Sequence, residues 1–91
     1  MARLTPRRVS EPVAVPAKQH GFFPKAFVWR GRRHDVRAVE DCRTEVRPGW
    51  QGQVKRHHFR VRTEAAVFEL IQDLARDTWL LERMWSVVSE A

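Results

Sequence analysis

The sequence predicts β structure within residues 26–63, and three observations carry that reading. The run Ala26-Phe27-Val28-Trp29 is short and aromatic, and Arg30-Gly31-Arg32 follows it as a tight turn. Residues His34 to Val39 resume an alternating pattern, which completes a hairpin. His58-Phe59-Arg60-Val61-Arg62-Thr63 alternates strictly, with Phe59, Val61 and Thr63 on one face and His58, Arg60 and Arg62 on the other. Such alternation suits an antiparallel sheet with one wet face.

The remaining segments follow in chain order. Residues 1–20 hold Pro6, Pro12 and Pro16 and little hydrophobic mass, so they are expected to form a mobile basic arm. An edge strand near 9–15 is compatible with them, because proline is tolerated on edges. The ordered β domain is expected over residues 21–91. Residues 41–56 are polar and contain Pro48, Gly49 and Gly52, which reads as a long loop or an irregular pair of short strands. Residues 64–85 fit two descriptions on pattern alone. Ala66, Leu70, Leu74 and Leu81 suit a helix. A hairpin runs Val67–Gln72, a turn through Asp73–Asp77, then Thr78–Trp85.

Ninety-one residues make one thin-cored domain, to which four Trp and five Phe bring large apolar area. The single cysteine, Cys42, has no internal disulfide partner, which suits a reducing cytoplasm. No apolar run approaches the roughly 18 residues of a membrane span. The opening MARLTPRRVSEPV has no hydrophobic stretch of the secretory-leader kind. Charge is uneven: residues 1–20 carry +3, residues 21–62 carry +7 and residues 63–91 carry −4. A basic body suggests attraction to a polyanion.

Catalytic patterns are lacking. The carboxylates are scattered, the serines sit near the chain ends, and no phosphate-cradling GxxxxGK[ST] run occurs. Cys42 with a histidine is formally a nucleophile pair without a supporting motif. His34, His57, His58 and Cys42 do not show structural-zinc spacing, and adjacent His57 and His58 face opposite ways on a strand. No catalytic residue, metal, cofactor or small-molecule substrate is therefore expected.

The basic stretches carry the leading expectation. Arg30, Arg32 and Arg33 cluster at the first turn, and Lys55, Arg56, Arg60 and Arg62 lie on and before the clearest strand. Arg60 and Arg62 would stand about 7 Å apart on one face, close to a phosphate spacing. Trp50, in a polar Gly/Pro loop, is the aromatic least claimed by the core and the candidate base-stacking platform. A second expectation rests on the final TWLLERMW. Alternation puts Trp79, Leu81 and Trp85 on one face and Leu80 and Met84 on the other. Trp79, Leu80, Met84 and Trp85 are then candidate contacts for a protein partner or a second copy of the chain.

AFVWRGRRHDV, HFRVRTE, VFEL and DTWLLERMW, in that order, resemble a small uncharacterised bacterial domain that occurs as short stand-alone proteins. The same segments resemble the C-terminal extension of ImuB-type homologues of Y-family DNA polymerases. The resemblance covers roughly residues 9–86. It implies an all-β fold, so residues 64–85 are expected as a hairpin, and it implies a DNA-repair context by association. Three features depart from the family pattern. His34 stands where an aromatic is usual, Glu64-Ala65-Ala66 replaces a glycine-containing turn, and the Asp73–Asp77 turn lacks its glycine. The expectation is an antiparallel sheet of about five strands, strongly twisted or closed as a small barrel, with a short helical turn over 85–91. Its expected role is non-enzymatic binding of DNA or RNA in repair or replication, with a protein adaptor or homodimer as the alternative.

Overall fold

The computed structural model describes the backbone of residues 2–49 and 52–89 and the side chains of 6–49 and 52–86. The described chain is all β: β1 (Ala2–Gln19), β2 (Phe23–Trp29), β3 (Arg32–Asp35), β4 (Ala38–Gly49), β5 (Gly52–Arg62), β6 (Ala66–Asp73) and β7 (Thr78–Ser89). They form one open antiparallel sheet in the order β3-β2-β1-β7-β6-β5-β4. The hairpin read from the sequence at 64–85 is present, and that at 26–39 is present as far as Asp35, with Ala38 and Val39 belonging to β4.

The sheet folds over on itself at two corners. Its outermost strands, β3 and β4, are consecutive in the chain and joined only by Val36 and Arg37. Laid flat, seven strands would hold those edges about 29 Å apart. Two linking residues reach only about 10 Å. The corner is pinned by Val36 N–H donating to Lys25 O (2.9 Å) and Arg37 N–H donating to Arg62 O (2.7 Å). The second corner lies within β1. Its Ala2–Val13 stretch pairs with β7 and its Ala14–Gln19 stretch pairs with β2. Each part of β1 therefore has a ladder on one side only, which is why Pro6, Pro12 and Pro16 fit in it.

The core fills the fold between the two layers. Phe27 from β2 meets Phe68 from β6 edge-on at 5.1 Å, and Phe59 on β5 lies 5.5 Å from Trp79 on β7. Val61, Leu70 and Leu81 are fully buried beside them. Alternation on β5 points Phe59, Val61 and Thr63 inward, as the sequence suggests.

Several expectations are corrected. There are seven strands, because residues 1–20 supply β1 and residues 41–56 supply most of a long hairpin. Trp85–Ser89 continues β7 instead of turning into a helix, since Ala2–Thr5 of β1 and Ser86–Ser89 pair with each other. Residues 87–89 carry the β-prone Val87 and Val88 within that ladder. The faces of β7 also differ from simple alternation. A register shift opposite Glu69/Leu70 leaves Glu82 without a cross-strand partner and reverses the phase. Met84 then packs on the core with Trp79 and Leu81, and Trp85 turns outward.

Candidate nucleic-acid interface

The β2–β3 hairpin has a two-residue turn in which Arg30 and Gly31 both take positive φ, 53° and 75°. That is the backbone of a type I′ turn, whose twist matches the strands it joins. The turn delivers Arg30 to Glu11 on β1. Arg30 donates from Nη2 to Oε2 at 2.6 Å and from Nε to Oε1 at 3.0 Å. Trp29 Nε1 donates to the same carboxylate at 2.9 Å, and the guanidinium lies 4.7 Å from the Trp29 ring centre. The Arg30 bond foremost, then the Trp29 bond, lowers the Glu11 pKa to about 2. Arg30 is thus held by Glu11 and Trp29 while its side chain stays exposed. Arg33 pairs with Asp35 at 3.0 Å, while Arg32 makes no ion pair with another described residue.

On β5, Arg60 and Arg62 are exposed on the outer face, as alternation requires. Neither stands alone. Arg60 lies 5.1 Å over the Trp85 ring, and Arg62 pairs with Glu40 at 3.6 Å. The same face carries Arg83 with Glu69 (3.6 Å) and Arg8 with Glu82 (3.3 Å). The outer face is thus a lattice of opposite charges, where a row of basic groups was expected. Lys55 is opposite Val46 and Arg56 is opposite Glu45 on the neighbouring strand. Trp50 lies outside the described residues. The seven described contacts therefore fall into separate places: Arg30, Arg32 and Arg33 at the β2–β3 turn, Arg60 and Arg62 at the end of β5, and Lys55 and Arg56 where the β4–β5 hairpin leaves the sheet.

That hairpin is longer and more regular than the loop or irregular pair of short strands expected over 41–56. The β5–β6 ladder ends at Arg56↔Asp73, while the β4–β5 ladder continues to Gly49↔Gly52. Four further residues of β5 carry the two strands about 13 Å past the sheet. Residues 43–56 hold Arg43, Arg47, Lys55 and Arg56 against one acid, Glu45. Glu45 binds His58 Nε2 at 3.1 Å and Arg47 at 3.2 Å, and the His58 bond is the first cause of its lowered pKa. The signal was present in Asp41-Cys42-Arg43-Thr44-Glu45-Val46-Arg47, where charged residues alternate with uncharged ones.

The four expected partner contacts do not form one patch. Trp79 is buried and Met84 packs on the core, whereas Leu80 and Trp85 are half-buried on the outer face. Cys42 is exposed and shares a face with Phe59, while His58 points to the other face. Burial, with Asp41 adding to it, pushes the Cys42 thiol pKa up. Among the described residues no three His, Cys, Asp or Glu side chains converge as a metal site. No described helix is long and apolar enough to cross a membrane.

A family model described as a domain of unknown function, DUF6504, matches residues 1–91. The chain belongs to the DUF6504 family. No curated protein and no solved structure matches it. The DUF6504 match spans every strand of the fold, so the corner at Val36–Arg37 and the projecting hairpin both lie within the family domain.

Proposed function

We propose that this DUF6504 chain is a non-enzymatic module that binds nucleic acid, with the projecting β4–β5 hairpin as its contact. The observation that carries the reading is a two-stranded ribbon standing clear of the sheet with four basic residues and one acid over 43–56. A two-stranded ribbon fits a DNA major groove about 12 Å wide. On this reading Arg43 and Arg47 on β4 and Lys55 and Arg56 on β5 contact phosphates. Arg32, Arg60 and Arg62 extend the contact onto the body of the domain. The resemblance to the ImuB extension supports repair or replication as the setting.

Titration of a labelled duplex and a labelled single strand at low salt tests the proposal by fluorescence anisotropy. Binding to the duplex is expected, with a slope of log K against log salt of about −6 for seven phosphates. Changing Arg47 or Lys55 to Ala should each reduce that slope by about 1. Absence of binding to either oligonucleotide at low salt overturns the proposal.

A further inference from the structure

β4 is the long edge of the sheet. It ends the strand order, so among the described residues its only ladder is with β5. Nine of its twelve residues are exposed. Such an edge presents a row of unpaired backbone amides and carbonyls to another strand. The one-sided Ala2–Val13 stretch of β1 loses amides at Pro6 and Pro12, but β4 has no proline before Pro48.

The residues along β4 have a two-fold pattern. Counting outward from Thr44, Arg43 matches Glu45, Cys42 matches Val46 and Asp41 matches Arg47. We infer that a second copy of this chain adds to the sheet along β4, antiparallel, around a two-fold axis at Thr44. Arg43 then stands opposite Glu45 of the second copy, and Asp41 opposite its Arg47. Cys42 covers Val46, which at 49% exposure is one of the exposed large apolar residues of the fold.

The pleat supports this register. Asp41, Arg43, Glu45 and Arg47 share the face of Arg60, His58, Arg56 and Val54. Cys42, Thr44 and Val46 share the face of Phe59, His57 and Lys55. A two-fold axis through a residue and normal to the sheet keeps like faces together. Neighbouring centres are worse. Centring on Arg43 sets Arg43 against itself and Asp41 against Glu45. Centring on Glu45 sets Glu45 against itself and Arg43 against Arg47. Centring on Cys42 or on Val46 keeps one opposite pair, Asp41 with Arg43 or Glu45 with Arg47, where centring on Thr44 gives two. Like charges directly opposite destabilise a strand pair, and a two-fold interface contains each such pair twice. A groove of about 460 Å³ between Gln19, Phe23 and Val39–Cys42 opens beside β4 where the second strand would run.

The inference does not rest on nucleic-acid binding, and its tests contain no oligonucleotide. Sedimentation equilibrium of the whole chain in reducing buffer is expected to show the mass rising from one chain to two across the micromolar range. A mass that stays at one chain overturns the inference. Disulfide trapping reads the register. In a Cys42→Ala background, Thr44→Cys puts two thiols across the axis with Cα atoms about 4.5–5.5 Å apart, within disulfide range. That variant should be trapped as a covalent dimer under mild oxidation. The unaltered chain should not, because its two Cys42 residues lie about 13 Å apart along the paired strands. Trapping through Cys42 and not through position 44 overturns the register. Arg43→Glu and Glu45→Arg each set like charges across the axis and should weaken self-association roughly ten-fold. The double variant restores opposite charges and should recover it, and far-ultraviolet circular dichroism checks that each variant is folded. A folded double variant as weak as the single ones overturns the inference.

Discussion

Glu11 accepts three hydrogen bonds from two side chains: two from Arg30 and one from the Trp29 indole N–H. Its pKa falls from 4.5 to about 2. A carboxylate whose pKa is lower in the folded state stabilises the fold above its unfolded pKa and loses that contribution as pH falls through the folded one. Stability should therefore decline between pH 4.5 and about 2 in part through Glu11. Thermal unfolding followed by circular dichroism should show a shallower decline over that interval in Glu11→Gln, which starts from a lower Tm at neutral pH. His34 has the opposite chemistry. It stacks on Phe27 at 5.0 Å with 13° between the rings, and burial foremost, then Arg32, lowers its pKa. The folded state thus prefers the neutral ring, so stability is lost as pH falls through the unfolded histidine pKa of about 6.5. His34→Phe keeps a ring on Phe27 and should remove that loss. Its Tm difference between pH 7 and pH 5 should be smaller than that of the unaltered chain, and an equal difference would sink the assignment.

At the scale of elements, the two turns that lack glycine are built by side-chain oxygens. Thr63 Oγ1 accepts from Ala65 N–H at 3.1 Å and Ala66 N–H at 3.3 Å, closing the β5–β6 turn. Asp73 Oδ1 accepts from Ala75 N–H at 3.0 Å and Arg76 N–H at 3.3 Å, and Asp77 takes the positive φ of 51°. Thr63→Val keeps the shape but orphans those amides, so chemical denaturation should show a loss of about 1–3 kcal/mol. Asp77→Gly relieves the left-handed residue but removes the Oδ1 that accepts from the buried Gln72 Nε2–H at 3.4 Å, so the two effects should offset and stability should change by less than about 1 kcal/mol. Both hairpins were legible because alternation and a turn survive in the sequence. The β7 faces were not, since a bulge at Glu82 reverses alternation without any local mark. The candidate interface was legible as a set of basic residues and illegible as a surface. Which arginine finds a carboxylate, as Arg30 finds Glu11 and Arg62 finds Glu40, depends on pairings between distant strands. The length of the projecting hairpin was hidden for a simpler reason: Pro48 and two glycines at its end made 41–56 read as a loop or an irregular pair of short strands.

At the scale of the molecule, β1 decides whether the fold exists. It is the link between the β2–β3 hairpin and the strands β4 to β7, through its Ala14–Gln19 ladder to β2 and its Ala2–Val13 ladder to β7. Its Val9, Val13 and Val15 also pack on the core. The sequence reading treats residues 1–20 as an arm, because three prolines and few large side chains rarely mark a strand between two others. The structure accommodates them by giving each stretch of β1 one partner at a time. Without β1, β2 and β3 remain a two-stranded hairpin held by the chain at Val36–Arg37, and an isolated hairpin is marginally stable in water. Phe27 on that hairpin supplies one side of the contact with Phe68. Loss of its anchoring should open the core to water. A chain of residues 21–91 is therefore expected to lose its cooperative thermal transition and its near-ultraviolet Trp signal. An arm that merely trails from the domain would leave both signals intact, and that result would show that β1 is dispensable to the fold.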